Sequence, residues 1–279
     1  MHARLTRMGT AVSAAMLAGI SCSSGPPPAV APAASAAAPA GETPAPSPPA
    51  APGAPACDKH VLVEIDGKPV WKLPGGSALG FKGKMTIDAD GAPNAYHKDD
   101  TKGLDRLANA GREGKWWALV TSDGKPTGKP VVQGPKDPSP GYYVSMTALE
   151  DTKKPVKDPR RYVDSTKVAY IALPAGAKEW GAKLGDFAAI IDAKSGRIAF
   201  AIFADIGPKD TLGEGSIALA SALNLPSDPR AGGADSGISY VLFPGSGNGQ
   251  PRSSEDIDRE GKKLFDAFGG RPMMAACLP

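Results

Sequence analysis

Residues 184–220, LGDFAAIIDAKSGRIAFAIFADIGPKDTLGEGSIALA, hold two nearly continuous apolar runs joined by a tight turn at residues 193–196. Runs apolar at successive positions predict strands buried on both faces rather than strands with one wet side. The second run stops at Asp205. A carboxylate closing a buried strand and facing a glycine-rich loop is one whose charged form desolvation disfavours, which raises its pKa. Nine residues later Glu214 lies between two glycines. There the sequence reads as the start of a helix over residues 215–223, whose positive dipole end favours an ionised carboxylate. Two acids in unequal environments suit the hydrolysis of a glycosidic bond, in which one protonates the leaving oxygen and the other activates water. Spacing alone leaves the plainer alternatives open, an aspartate closing a turn and a glutamate capping a helix.

Working outward, residues 60–65 and 68–73 are extended runs about Asp66-Gly67, the pattern of a hairpin. Further strands are expected at residues 84–88, 116–121, 142–147, 168–173, 186–191, 197–204 and 238–243. A clear helix is expected over 254–268, with Ile257, Leu264, Phe265 and Phe268 along one side and Gly269 ending it. Many short strands and two or three helices predict a mainly β fold, a closed or nearly closed barrel with helical additions.

The chain opens with two arginines, a short run of small and apolar residues and a small-residue stop, the layout of a secretory signal peptide over residues 1–22. The run is too short to span a bilayer. Gly19-Ile20-Ser21-Cys22 loosely resembles a lipoprotein cleavage site, so both lipid attachment at Cys22 and ordinary cleavage near Ser21 are open. Residues 23–57 are almost wholly Pro, Ala, Ser and Gly, a semi-extended linker without the apolar surface to fold. Residues 58–279 are of a size for a single domain. The protein is thus expected to be exported, either secreted or anchored to the cell envelope. Cys57 and Cys277 flank the domain, and in an oxidising compartment they invite a disulfide, two separate thiols being the alternative.

The segment ending in Ala204-Asp205-Ile206-Gly207, followed by Gly213-Glu214-Gly215-Ser216, resembles the core of the family 75 chitosanases, glycoside hydrolases known chiefly from secreted fungal enzymes. Asp88-Ala89-Asp90-Gly91-Ala92 is similar to an upstream Asp-x-Asp-Gly-Ala element of that family, and the likeness runs with gaps from about Lys84 to Phe268. The resemblance implies an inverting endo-hydrolase of β-1,4 links in chitosan with Asp205 and Glu214 as the catalytic pair, assigned here as acid and base respectively. The loop between the acids is shorter than in the fungal pattern, and residues 206–208 depart from it. Asp205-Ile206-Gly207 also resembles the aspartate loop of double-psi β-barrels in lytic transglycosylases. That likeness implies this barrel type and a peptidoglycan or other aminoglycan substrate as the alternative. A non-catalytic wall-binding lipoprotein on the same scaffold is a third possibility, expected to show carboxyls turned apart or buried without a cleft.

The net charge of +3 gives no support for a cationic substrate, but residues 186–235 carry seven acids against four bases. The candidates for substrate contact are Asp186, at the start of its strand, and the aromatic residues Tyr96, Trp117 and Tyr143. Adjacent residues on a strand point to opposite faces, so at most one of Trp116/Trp117 and one of Tyr142/Tyr143 can face a cleft. The histidines are scattered, the aspartates at 88 and 90 are not followed by a calcium loop, and no phosphate loop or aromatic-basic platform is present. The sequence therefore points to a polysaccharide-binding monomer without metal, cofactor or nucleic acid.

Overall fold

A computed structural model describes residues 55–76 and 78–279. The leader at 1–22, the lipid attachment at Cys22 and nearly all of the linker at 23–57 lie outside the described residues. Strands β1 (His60–Ile65) and β2 (Lys68–Lys72) form the expected hairpin, with both turn residues, Asp66 and Gly67, at positive φ. β2 hands the chain to β3 (Leu79–Asp88), a ten-residue strand. A two-stranded ribbon, β4 (Gly111–Arg112) with β5 (Lys115–Trp116), lies in the long segment that follows. The remaining strands are β6 (Tyr170–Pro174), β7 (Phe187–Asp192), β8 (Ile198–Gly207), β9 (Glu214–Ser216) and β10 (Ala234–Phe243).

Six of these close a barrel in the order β3-β10-β7-β8-β6-β9, with β9 returning to pair with β3. The mainly β barrel expected from the sequence is therefore the observed fold. Alternation along the strands separates two faces. Phe81, Met85, Ile87, Ile171, Leu173, Ala188, Ile190, Ala201, Phe203 and Tyr240 fill the interior. On the outer face, Phe187, Ala189, Ile202 and Val241 pack beneath the helices α2 (Ser254–Phe268) and α3 (Gly270–Cys277). Helix α2 has the bounds expected from its apolar stripe. Ser253 caps it by accepting the Asp256 N–H, and Gly269 ends it at φ 107°. Cys57 and Cys277 form a disulfide with Cα atoms 5.2 Å apart.

The sequence expectations differ from the structure in two regions. Beyond Trp116, which ends β5, the runs at 116–121 and 142–147 form only isolated bridges, such as Leu119 with Ser145, because the surrounding segment is held mostly by turns and loop hydrogen bonds. The expected helix at 215–223 begins two residues later, as α1 (Ile217–Ala222) with Ser216 as its cap. Residues 214–216 are instead β9, a strand too short to show a period of its own, fixed by pairing with β3 on one side and β6 on the other.

Candidate active site

Four carboxylates meet on the outer face of the barrel, on the side not covered by α2. Ala172 of β6 is the hinge of the arrangement, since it pairs with Asp205 of β8 on one side and with Glu214 of β9 on the other. Glu214 in turn pairs with Thr86 of β3, and Asp88 is two residues further on the same face. Two strand spacings separate Asp205 from Glu214, which sets their Cα atoms about 10 Å apart.

Asp205 reaches this face through a bulge. Along β8, Phe203 pairs with Ile171 and the next pair is Asp205 with Ala172, leaving Ala204 extra. Without the extra residue, Asp205 would follow Phe203 into the barrel interior. A bulge re-aims a side chain in this way because two residues then oppose one. It also explains why Asp186 is not at the site. Asp186 bonds across the hairpin with Phe203 through the backbone, so it lies on the face opposite Asp205. Fully buried, its carboxylate accepts the Lys183 and Gly247 N–H groups and ties two loops together.

The end of β3 and the turn after it supply the second pair of acids, Asp88 and Asp90. Gly213 and Gly91 are placed where no other residue fits. At φ 91° and 75°, a Cβ on each would fall 2.1 Å from the Lys84 carbonyl oxygen and 2.0 Å from that of Val163. Asp88 accepts the Asp90 N–H at 2.7 Å. Asp90 accepts the hydroxyls of Tyr96 at 2.7 Å and Ser145 at 3.3 Å, while the Tyr170 hydroxyl donates to its carbonyl. Asp205 Oδ1 accepts two backbone N–H groups, from Ala148 at 2.8 Å and Ile206 at 2.9 Å. Carboxylate oxygens of Asp88, Asp90 and Asp205 all lie within 4.8 Å of one another. That closeness can be satisfied by a cation or by shared protons.

Burial is the largest influence on all four acids and raises each pKa. Asp88 is pushed up to about 6, restrained by the Asp90 N–H. Glu214 is pushed up to about 8, by burial first and then by the charge of Asp88, with Lys84 opposing. Asp90 and Asp205 are both held well above the usual carboxylate range by burial and by the Asp88 charge, and the two backbone N–H groups on Asp205 act against this. The helix-dipole environment expected for Glu214 is therefore corrected. Glu214 lies in a strand three residues ahead of α1, Ser216 is the residue that caps the helix by accepting the Leu219 N–H, and burial favours the protonated form of Glu214.

Two cavities meet at these acids. One, of about 410 Å³, is lined by Asp105, Asn109, Tyr96 and Arg230 as well as Asp88, Asp90 and Glu214. The other, of about 520 Å³, shares Asp88, Asp90, Asn109 and Glu214 and adds Asp205, Trp117, Ile206, Gly207 and Pro208. Together they make a groove that continues on both sides of Glu214. Of the expected contact residues, Tyr96 and Trp117 line it. Tyr143 does not: its ring packs with Ala89, Tyr96 and Leu119 in the small core beneath the 89–168 segment. Trp116 and Trp117 divide as alternation requires, the first half-buried and the second 54% exposed.

Asp88, Asp90 and Asp105 were not assigned from sequence as site residues. The Asp-x-Asp-Gly element marks the first two, but their meeting with Asp205 depends on the β3–β9 pairing, which no local pattern reveals. The excess of acids at 186–235 is likewise only part of the site's charge, because three of its acids come from the basic first half of the chain.

A family model described as fungal chitosanase of glycosyl hydrolase group 75 matches residues 85–268. That span runs from β3 through α2 and contains all four carboxylates. No curated protein matches the chain. The chain belongs to glycoside hydrolase family 75, the fungal-type chitosanases, and is a chitosanase-like glycosidase.

Proposed function

We propose that the protein is an exported chitosanase that cuts β-1,4 links within the polymer with inversion, Glu214 acting as general acid and Asp205 as general base. The observation that carries this is the flanking of Ala172 by the two acids, which holds them on one face, over one groove, two strands apart. Inversion needs carboxyls roughly 6.5 to 9.5 Å apart, so that water fits between sugar and base. The groove continues on both sides of Glu214, which favours a chain bound along its length over a chain end.

The roles reverse those expected from the sequence. Glu214 keeps its proton to about 8 and so can deliver it to the leaving oxygen. Asp205 is raised well above the usual carboxylate range by burial and the Asp88 charge, but two backbone N–H groups act toward its charged form, and its role as base rests on those donors. Asp88, Asp90 and Asp205 titrate as a set, and an ammonium group on a bound glucosamine draws that set toward ionisation. The leader and the Cys57–Cys277 disulfide support export to an oxidising compartment. Asp205 and Glu214 line one cavity, which favours the catalytic reading over a non-catalytic scaffold.

The test is release of reducing ends from partly deacetylated chitosan by the purified protein, with the anomer of the first product read by proton NMR. Asp205→Asn and Glu214→Gln should each lower kcat by about 10²- to 10⁴-fold, and the first product should be the α-anomer. Activity that survived both changes would refute the assignment. Digestion of peptidoglycan sacculi with no action on chitosan would move the substrate to another aminoglycan.

A further inference from the structure

The two arms of the groove differ in chemistry. Beyond the shared acids, the arm on the Asp105 side adds one more carboxylate and Arg230. Arg230 donates from Nε and Nη2 to the carbonyls of Asp100, Gly103, Leu104 and Asp105, so this cation clips a loop, and its charge acts against that of Asp105. The other arm adds Trp117, Ile206, Gly207 and Pro208 and, apart from Asp205 at its inner end, no further charged side chain.

Large apolar side chains that stay wet carry a cost, and their convergence on one concave surface marks a binding site. Among the described residues, six large hydrophobic side chains are exposed, and two of them, Trp117 at 54% and Ile206 at 50%, face this one cavity. The Trp117 ring is also fixed in place, since its indole N–H donates to the Asn109 carbonyl at 2.7 Å and its backbone N–H to Ala110. A fixed, exposed indole loses little side-chain entropy on binding and offers a flat apolar face. Ile206 directly follows Asp205 and gives that carboxylate its backbone N–H, so the apolar contact and the proposed base are joined in one strand end.

We infer that the Trp117–Ile206 arm is a subsite that holds a β-linked pyranose by its apolar face. This rests on the hydrolase proposal for the direction of the chain, but binding at Trp117 can be read without catalysis.

The experiment uses full-length protein carrying Glu214→Gln and a β-1,4-linked glucosamine hexamer as the probe. Binding is followed by tryptophan fluorescence and by calorimetry at about 0.05 M and about 0.5 M salt, which span weak and strong screening. Trp117→Ala in that background should weaken binding about tenfold, from loss of buried apolar contact. The factor should be the same at both salt concentrations although overall affinity falls with salt. Trp117→Phe should restore most of it, and the thermal midpoint should be unchanged. An unchanged affinity, or a factor that vanishes at high salt, would overturn the subsite. If the wild-type protein binds the hexamer through Trp117 but cuts nothing, the subsite stands and the hydrolase proposal fails.

Discussion

Gly207→Ala is a change of one methyl group that tests the position of Glu214 without removing any catalytic group. A Cβ built on Gly207 falls 2.6 Å from Glu214 Oε2, 3.8 Å from its Cδ and 3.7 Å from Ala172 Cβ. Contacts of carbon with oxygen settle near 3.4 Å, so the carboxylate must withdraw by about 0.8 Å, and nothing else in the surroundings is crowded. Because the displaced atom is the end of a flexible side chain, the fold should accept the change. Removing a glycine from the unfolded chain should even add about 0.4 to 1 kcal/mol of stability. Catalysis should respond in the opposite direction. A displacement near 1 Å can cost about 10²-fold where acid and sugar oxygen must meet within hydrogen-bond reach. The expected outcome is kcat on chitosan lowered about 10- to 100-fold, KM little changed, and a thermal midpoint equal to or above that of the wild type. Unaltered kcat would refute the reasoning, since Glu214 would then not need the space that Gly207 leaves. A large fall in the thermal midpoint would show that the glycine serves the backbone rather than the carboxylate.

The pH dependence of stability carries a definite sign. Glu214 is raised from 4.5 to about 8, so the fold holds this proton more tightly than the unfolded chain does. Its contribution is fully present below about 4.5 and is lost as pH rises toward about 8, a share on the order of a few kcal/mol for so buried a group. Urea midpoints measured from pH 4 to 9 should fall across that window, and Glu214→Gln should flatten the fall; parallel curves would refute the assignment. Activity should follow a bell, with the alkaline limb near the Glu214 value of about 8 and the acid limb belonging to the aspartate set, in which Asp88 is at about 6. Asp88→Asn removes the charge that raises Glu214, so the alkaline limb of the kcat profile should move to lower pH; an unmoved limb would detach Asp88 from the acid. Reduction of Cys57–Cys277, or Cys57→Ser with Cys277→Ser, opens a closure across 220 residues and should cost about 3 to 5 kcal/mol in unfolding experiments.

What the sequence made legible was whatever is encoded locally. The Asp-Gly hairpin, the β7–β8 ladder and helix α2 each carry a turn, an apolar run or a stripe that neighbours in the chain dictate, and each formed with nearly the expected bounds. The disulfide was open as a pairing because only its geometry distinguishes it from two thiols. Residues 116–121 and 142–147 were read as strands where they form little more than isolated bridges, since alternating Trp, Val and Tyr residues satisfy a strand pattern while their backbone partners lie elsewhere.

The active site was legible by its members and hidden in its assembly. Asp205 and Glu214 could be chosen because one ends a buried strand and the other follows a glycine-rich loop. Their relation could not, because it is set by β9, three residues whose partners are Thr86, Ile87 and Asp88 on one side and Ile171 and Ala172 on the other, more than forty residues away in the chain. The bulge at Ala204 is the sharpest case. Read as a regular strand, Asp205 shares a face with Phe203 and points into the barrel, and Asp186 across the hairpin is its natural companion. One unpaired alanine turns Asp205 outward, parts it from Asp186 and delivers it to Asp88, Asp90 and the groove. The physical requirement behind that alanine is that the barrel interior is closely packed and apolar, so a carboxylate that must meet both water and substrate can stay on β8 only if the strand breaks its alternation at that point.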